Sequence, residues 1–251
     1  MQARRKEKIE NILISIFSTF VINVLFILSP DFWANLFIGK KSLGLIITFQ
    51  DVMWFFFILG IIEIRKRKIN IKRVQKFEKN DYLPSRFEDL IDDNVLTDII
   101  KKTKLDIEEE SSILPYMILQ ISLQFRTNKS ISLTSDFLTK QLDLALHEVE
   151  IQYNNLKYII WLVPSLGFMG TVYGIGLAVS QLGEGSIDDP ALLTKMASSL
   201  GVAFNTTLLA LVLSVILQYL TQKSETQEEN QINSFGKYIL ENLINKLVVR
   251  S

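Results

Sequence analysis

The chain has 251 residues, with 27 Lys and Arg balancing 27 Asp and Glu, so no global field invites nucleic acid or an acidic substrate. Hydrophobic residues make up 48% and charged residues 22%, and they fall in separate blocks, as when membrane spans alternate with solvated segments. The absence of Cys excludes thiol catalysis, disulfides and Cys-ligated metals.

In chain order, a basic start (MQARRKEKIE) leads into an apolar run, as in a signal peptide. SPDFW follows that run instead of a small-residue cleavage site, so we read it as a retained anchor. A bilayer crossing takes about 20 residues, and four stretches are long enough. Residues 12–29 carry no charge, and residues 43–62 are apolar except for Gln50 and Asp51. Residues 158–182 and 196–221 lack any Asp, Glu, Lys, Arg or His. A fifth apolar run, 113–125, is too short and is broken by Pro115; it reads as a buried helix in a soluble segment.

Orientation follows the Lys and Arg residues. Arg4, Arg5, Lys6 and Lys8 precede the first span, and Arg65, Lys66, Arg67 and Lys68 follow the second. They outnumber Lys40 and Lys41 in the loop between, and the loop joining the last two spans is acidic (GEGSIDDPALL). Both termini and residues 63–157 are therefore expected in the cytoplasm. Four regions result: two N-terminal spans (1–62), a cytoplasmic helical segment (63–157), a two-span core (158–221) and a cytoplasmic amphipathic helix (222–251). The fold class is all-α and polytopic, with long helices extending from the membrane.

In the cytoplasmic segment, Phe137, Leu138, Leu142, Leu144, Leu146 and Val149 make a broad apolar helical face, with Ser135 as its cap. Nothing breaks that pattern before Pro164, so this helix is expected to run into the third span. After the polar stretch TQKSETQEENQ, Ile232, Phe235, Ile239, Leu243 and Leu247 recur at helical spacing. Glu108 to Glu110 and Glu228 to Glu229 read as solvated helix faces.

Six of the eleven glycines lie between Gly167 and Gly185. Gly167, Gly170, Gly174 and Ala178 share one face of the third span, beside Thr171. Ser199, Ala203, Thr206, Thr207, Ala210 and Ser214 form a similar face on the fourth. Small faces let helices approach closely in lipid, and hydroxyls bond between them. On periodicity alone this is ordinary helix packing.

The string WLVPSLGFMGTVYGI, followed by SLGVAFNTTLLALVLSV, resembles the MotA/TolQ/ExbB channel family over roughly residues 156–220. The resemblance implies a bacterial inner-membrane protein, a homopentamer around a dimer of a single-span MotB/ExbD-like partner, and a pore lined by the third and fourth spans. It matches Thr171 and Thr207 to the family's pore threonines and Pro164 to the proline on the same span. The partner supplies a titrating aspartate, protons are favoured over sodium, and no cofactor or enzymatic activity is implied. The residues themselves agree that an acid is missing: Thr171, Thr206 and Thr207 orient water but hold no proton. A closed ring is expected to form through the small faces of the last two spans.

The sequence departs from the family at Val202, where ExbB and TolQ carry a glutamate. Two spans before the cytoplasmic segment suit MotA, whereas GTV is closer to ExbB and no proline occupies the last span. The alternative function is a non-conducting scaffold of the same fold. Asp51 falls near the middle of the second expected span, where a charge costs roughly 2.5–3.5 kcal/mol. It reads either as an intramembrane coupling residue or, preferred here, as an uncharged group bonded to a neighbouring helix. Asn23 and Asn205 read as interhelical hydrogen-bond groups. His147 in LALHEVE lacks the second histidine of HExxH, so a zinc site is not expected.

Overall fold

The computed structural model describes residues 2–27, 31–38, 47–77, 82–84, 90–109, 113–183 and 190–248. Lys40 and Lys41, the ends of the first two expected spans (28–29 and 43–46), Glu110 and residues 184–189 of the acidic loop lie outside the described residues. So do the side chains of Arg4, Arg5, Lys6, Lys8, Glu108 and Glu109. Among the described residues the chain is helical, with no strand.

The helices are α1 (Gln2–Ile27), α2 (Asp31–Phe37), α3 (Phe49–Phe77), α4 (Asp93–Glu109), α5 (Ile113–Asn128), α6 (Ile131–Leu182) and α7 (Pro190–Asn242). A 3-10 turn at Ile244–Lys246 follows. Two of them, α6 and α7, are long and apolar enough to cross a membrane, and Ile9–Leu25 of α1 is a shorter apolar helix. At 1.5 Å per residue the 52 residues of α6 span about 78 Å, more than twice the hydrocarbon core. Only 28% and 44% of the most apolar windows of α6 and α7 are buried within the chain. A helix in a soluble core would be mostly enclosed, and exposed rows such as Trp161, Phe168, Val172 and Val179 would not persist in water.

The long helices are more continuous than expected. α6 passes through Pro164 without a break, as the sequence suggests. α7 passes through Thr221 and the whole polar stretch after it, so the last span and the tail are one helix. Gln, Glu and Lys are good helix formers, and their polarity marks a change of surroundings, not a stop. The α6 cap is Ser130, whose Oγ accepts from Leu133 N–H at 3.4 Å, whereas Ser135 lies inside the helix. Lys129 just before it has φ of 48°, the left-handed turn that ends α5. Pro115 does not break α5; it occupies the first turn, where its missing N–H costs nothing.

The chain divides into two compact units, Met1–Arg65 with Asn154–Gln222, and Lys66–Tyr153 with Lys223–Ser251. In the first, α1 buries Ser15, Thr19 and Asn23 at four-residue spacing. Each bonds the carbonyl one turn back, at 2.8–3.0 Å. α3 packs closely on α6 and α7 at Gly60, where an added Cβ would lie 2.9 Å from Leu217 Cδ2. Phe49 of α3 meets Tyr173 of α6 at 5.8 Å between ring centroids.

The second unit has its own apolar core. Met117, Ile118, Ile121 and Phe125 of α5 meet Leu138 of α6 and Phe235, Ile239 and Leu243 of α7. All five apolar residues expected on one face of the tail, Ile232 to Leu247, are buried. On α6, Leu138 and Val149 are buried as expected, but Leu144 is 61% exposed and Ala145 takes the inward position. A one-residue offset arises because the apolar face was drawn too wide. Ile91 closes the unit by a short parallel bridge to Leu247, with Ile91 N–H donating to Lys246 O at 2.8 Å.

Candidate ion-path site

Glycines bring α6 and α7 close together in the first unit. A Cβ added at Gly170 would lie 2.7 Å from Thr206 Oγ1, and one at Gly174 would lie 2.8 Å from Ser199 O and 2.9 Å from Ala203 Cβ. One at Gly167 would overlap Ala210. The two small faces read from the sequence therefore meet each other inside a single chain. They are not free to hold copies together, which corrects the expectation of a ring built through them.

This proximity sets up the threonines. Thr171 Oγ1 and Thr207 Oγ1 are hydrogen-bonded to each other across the helix pair. Thr171 also reaches Ala203 O at 3.1 Å and Gly167 O at 3.2 Å; Thr207 reaches both the same carbonyls at 3.3 Å. Two hydroxyls own two protons, and three kinds of acceptor compete for them, so oxygen lone pairs remain for an outside donor. Both residues are half-buried. Thr206, expected to share the water path, is instead fully enclosed against Gly170 and bonds Val202 O and Ala203 O at 3.1 and 2.9 Å. Pro164 sits one turn before the glycines, half-buried, and its ring nitrogen leaves the Ile160 carbonyl without a ladder donor.

Val202, which the sequence reading matched to a glutamate of ExbB and TolQ, is buried. Asn205 is half-buried and, unlike Asn23, bonds to no other helix among the described residues. Gln181 Nε2 donates to Ser199 Oγ at 3.2 Å, a further polar tie between the pair.

Asp51 is not mid-helix. It lies in the first turn of α3, where it accepts Thr48 N–H at 2.9 Å while Asp51 N–H donates to Thr48 Oγ1 at 3.2 Å. This reciprocal pair is a capping box, with Asp in the position usually held by Glu. Asn23 Nδ2 of α1 donates to the same carboxylate at 2.7 Å, the interhelical bond the sequence reading preferred. Beside it Gln50 is fully buried, with neither amide atom partnered among the described residues.

One polar cluster escaped the sequence reading. In the second unit, Arg67 bonds Gln152, lies over the Tyr153 ring at 5.4 Å and stands 3.8 Å from Glu228. Tyr153 OH donates to Ser224 Oγ at 2.9 Å, and burial pushes its phenol well above the ordinary range. Glu228 is thus 19% exposed and not part of a solvated face. The signal was present: Ser224, Glu228 and Gln231 repeat at helical spacing within the polar stretch. His147 is exposed beside Glu150 at 3.5 Å, and no group of potential metal ligands occurs among the described residues.

Two long helices whose apolar portions carry no Asp, Glu, Lys, Arg or His, paired through glycine and threonine and mostly uncovered, define a membrane protein. A family profile described as the MotA/TolQ/ExbB proton channel family matches residues 92–237, more than half of the chain. The chain belongs to that family. Its members transduce ion flow into work, act in complexes with membrane partners, and are not an enzyme family. No curated protein and no solved structure matched the chain.

Proposed function

We propose that the chain is the channel subunit of an ion-driven motor in a bacterial inner membrane, coupling inward proton flow to mechanical work in the envelope. The observation that carries this is the Thr171–Thr207 pair, held by close backbones on two charge-free helices. A proton path needs a group that titrates near physiological pH, and neither span holds an Asp, Glu, His or Lys, so a single-span MotB/ExbD-like dimer supplies an aspartate. The threonines then accept from, or donate to, that carboxyl as it changes state.

Four spans complete the arrangement, with α1 and the first half of α3 as outer helices and both termini in the cytoplasm. The uncovered apolar rows of α6 and α7 are matched to other copies in a homopentamer and to lipid. Gly176 and Gly201 have nothing within 4 Å of an added Cβ, which suits close approach of a second chain. Asp51 belongs to the outer helices and ties α1 to α3; its part in coupling is secondary.

The test is proton uptake by proteoliposomes carrying the chain with its partner. Thr171→Val with Thr207→Val should leave the complex assembled and lower flux at least tenfold, while Ser at both positions retains more. Unchanged flux in the double Val protein would favour a non-conducting scaffold. Flux that follows a sodium gradient at constant pH would make sodium the coupling ion.

A further inference from the structure

In the second unit, α3, α5, α6 and α7 border a cavity of about 290 Å³. One water takes up roughly 30 Å³ of liquid, so a short-chain molecule has room. Glu148 of α6 and Glu228 and Gln231 of α7 line the cavity, and no Lys, Arg or His does among the described residues. Hydrocarbon makes up most of the remaining wall, with Val149 and Phe235 buried and Val74 half-buried.

The polar groups on this wall lack donors. Glu228 Oε2 is buried and has no hydrogen-bond partner, a costly arrangement for a carboxylate. Arg67 stands 3.8 Å from Glu228 Oε1, beyond hydrogen-bond reach, and gives its N–H groups to Gln152. Gln231 is 8% exposed; its amide nitrogen donates to Ile71 O at 3.5 Å, and no donor among the described residues reaches its side-chain oxygen. Glu148 forms no ion pair or hydrogen bond with a described residue. The unmet groups are acceptors, so the missing partner is a donor, and two carboxylates make it a cation. Metal ions fit poorly, because Mg²⁺ and Ca²⁺ take about six to eight oxygens and most of this wall is hydrocarbon. An alkylammonium matches both surfaces, with N–H groups for the oxygens and methylenes for the apolar side chains. The last torsion of a Glu side chain is broad, so Glu228 turns its free oxygen to a donor at little cost.

We propose that this cavity binds a short linear diamine in its doubly protonated form, with one ammonium on Glu148 and the other on Glu228 and Gln231. Binding ties α6 to α7 within the second unit. The lining residues all belong to that unit, and the test involves neither proton flux nor the partner protein.

The full chain in detergent, at about 0.15 M salt to screen loose surface pairing, is titrated calorimetrically with diaminobutane and with butylamine. Diaminobutane should bind roughly tenfold more tightly or better, since butylamine satisfies only one carboxylate. Glu148→Gln and Glu228→Gln keep the side-chain volume and should each weaken diaminobutane about tenfold. Glu150→Gln removes an exposed carboxylate of α6 outside the cavity and should leave binding unchanged. If the Glu228 variant misfolds, exposed Glu148 carries the test: Glu148→Gln must erase the preference over butylamine. Equal affinity for the two amines, no binding of diaminobutane at about 1 mM, or an equal loss in Glu150→Gln overturns the proposal. Displacement of diaminobutane by Mg²⁺ at equal concentration also overturns it, by assigning the oxygens to a metal ion.

Discussion

Thr171 and Thr207 owe their contact to residues that have almost no side chain. Any Cβ at Gly170 strikes Thr206, so Gly170→Ala should cost about 1–3 kcal/mol by overpacking. Gly176→Ala should be neutral in the isolated chain, since open space surrounds it. Thermal unfolding in detergent compares them, and equal losses would mean the two helices do not meet at Gly170. Tyr153 offers a pH-dependent check. Its phenol is neutral and hydrogen-bonded to Ser224 in the fold, with its ionisation pushed up by burial, so the unfolded chain loses that proton first. The contribution is complete below about pH 10 and fades as pH rises beyond it. Tyr153→Phe should therefore cost about 1 kcal/mol near neutrality. The gap to the wild type should narrow above about pH 10, and a gap independent of pH would deny Tyr153 its buried bond.

Among the elements, those without breakers were legible in the sequence. Apolar length located the two long helices, and the lack of any stop before Pro164 foretold the 52-residue α6. The join at Thr221 was missed because a polar stretch resembles a loop to hydropathy, although its residues favour helix. Asp51 was placed mid-span because residues 43–48 were counted as helix; Thr48 three residues earlier was the capping signal that moves the helix start to Phe49. Periodicity found the small faces but not their partners, since spacing along one helix says nothing about which surface covers it. If Asp51 caps and ties, Asp51→Asn should lower stability by about 1 kcal/mol and leave flux per assembled complex unchanged. A complex that assembles fully but does not conduct would instead make Asp51 a coupling residue.

At the scale of the whole molecule, the proposed function covers the exposed apolar rows with lipid and further copies and takes the acid missing from the spans from a partner. Cysteines at positions 194 and 147, both exposed, should react with an impermeant reagent from opposite sides of the membrane. Reaction of both from one side would remove a crossing. Across about 100 mV a proton releases roughly 2.3 kcal/mol, a drive easily lost to a leak. A subunit that conducted by itself would waste it, so the channel should be silent until the acid arrives. The direct measurement is proton uptake by vesicles carrying the chain alone, the chain with its single-span partner, and the chain with that partner's membrane aspartate changed to asparagine. Uptake only in the second preparation is expected; uptake by the chain alone, at a rate comparable to the complex, would contradict the assignment of the titrating group to a partner.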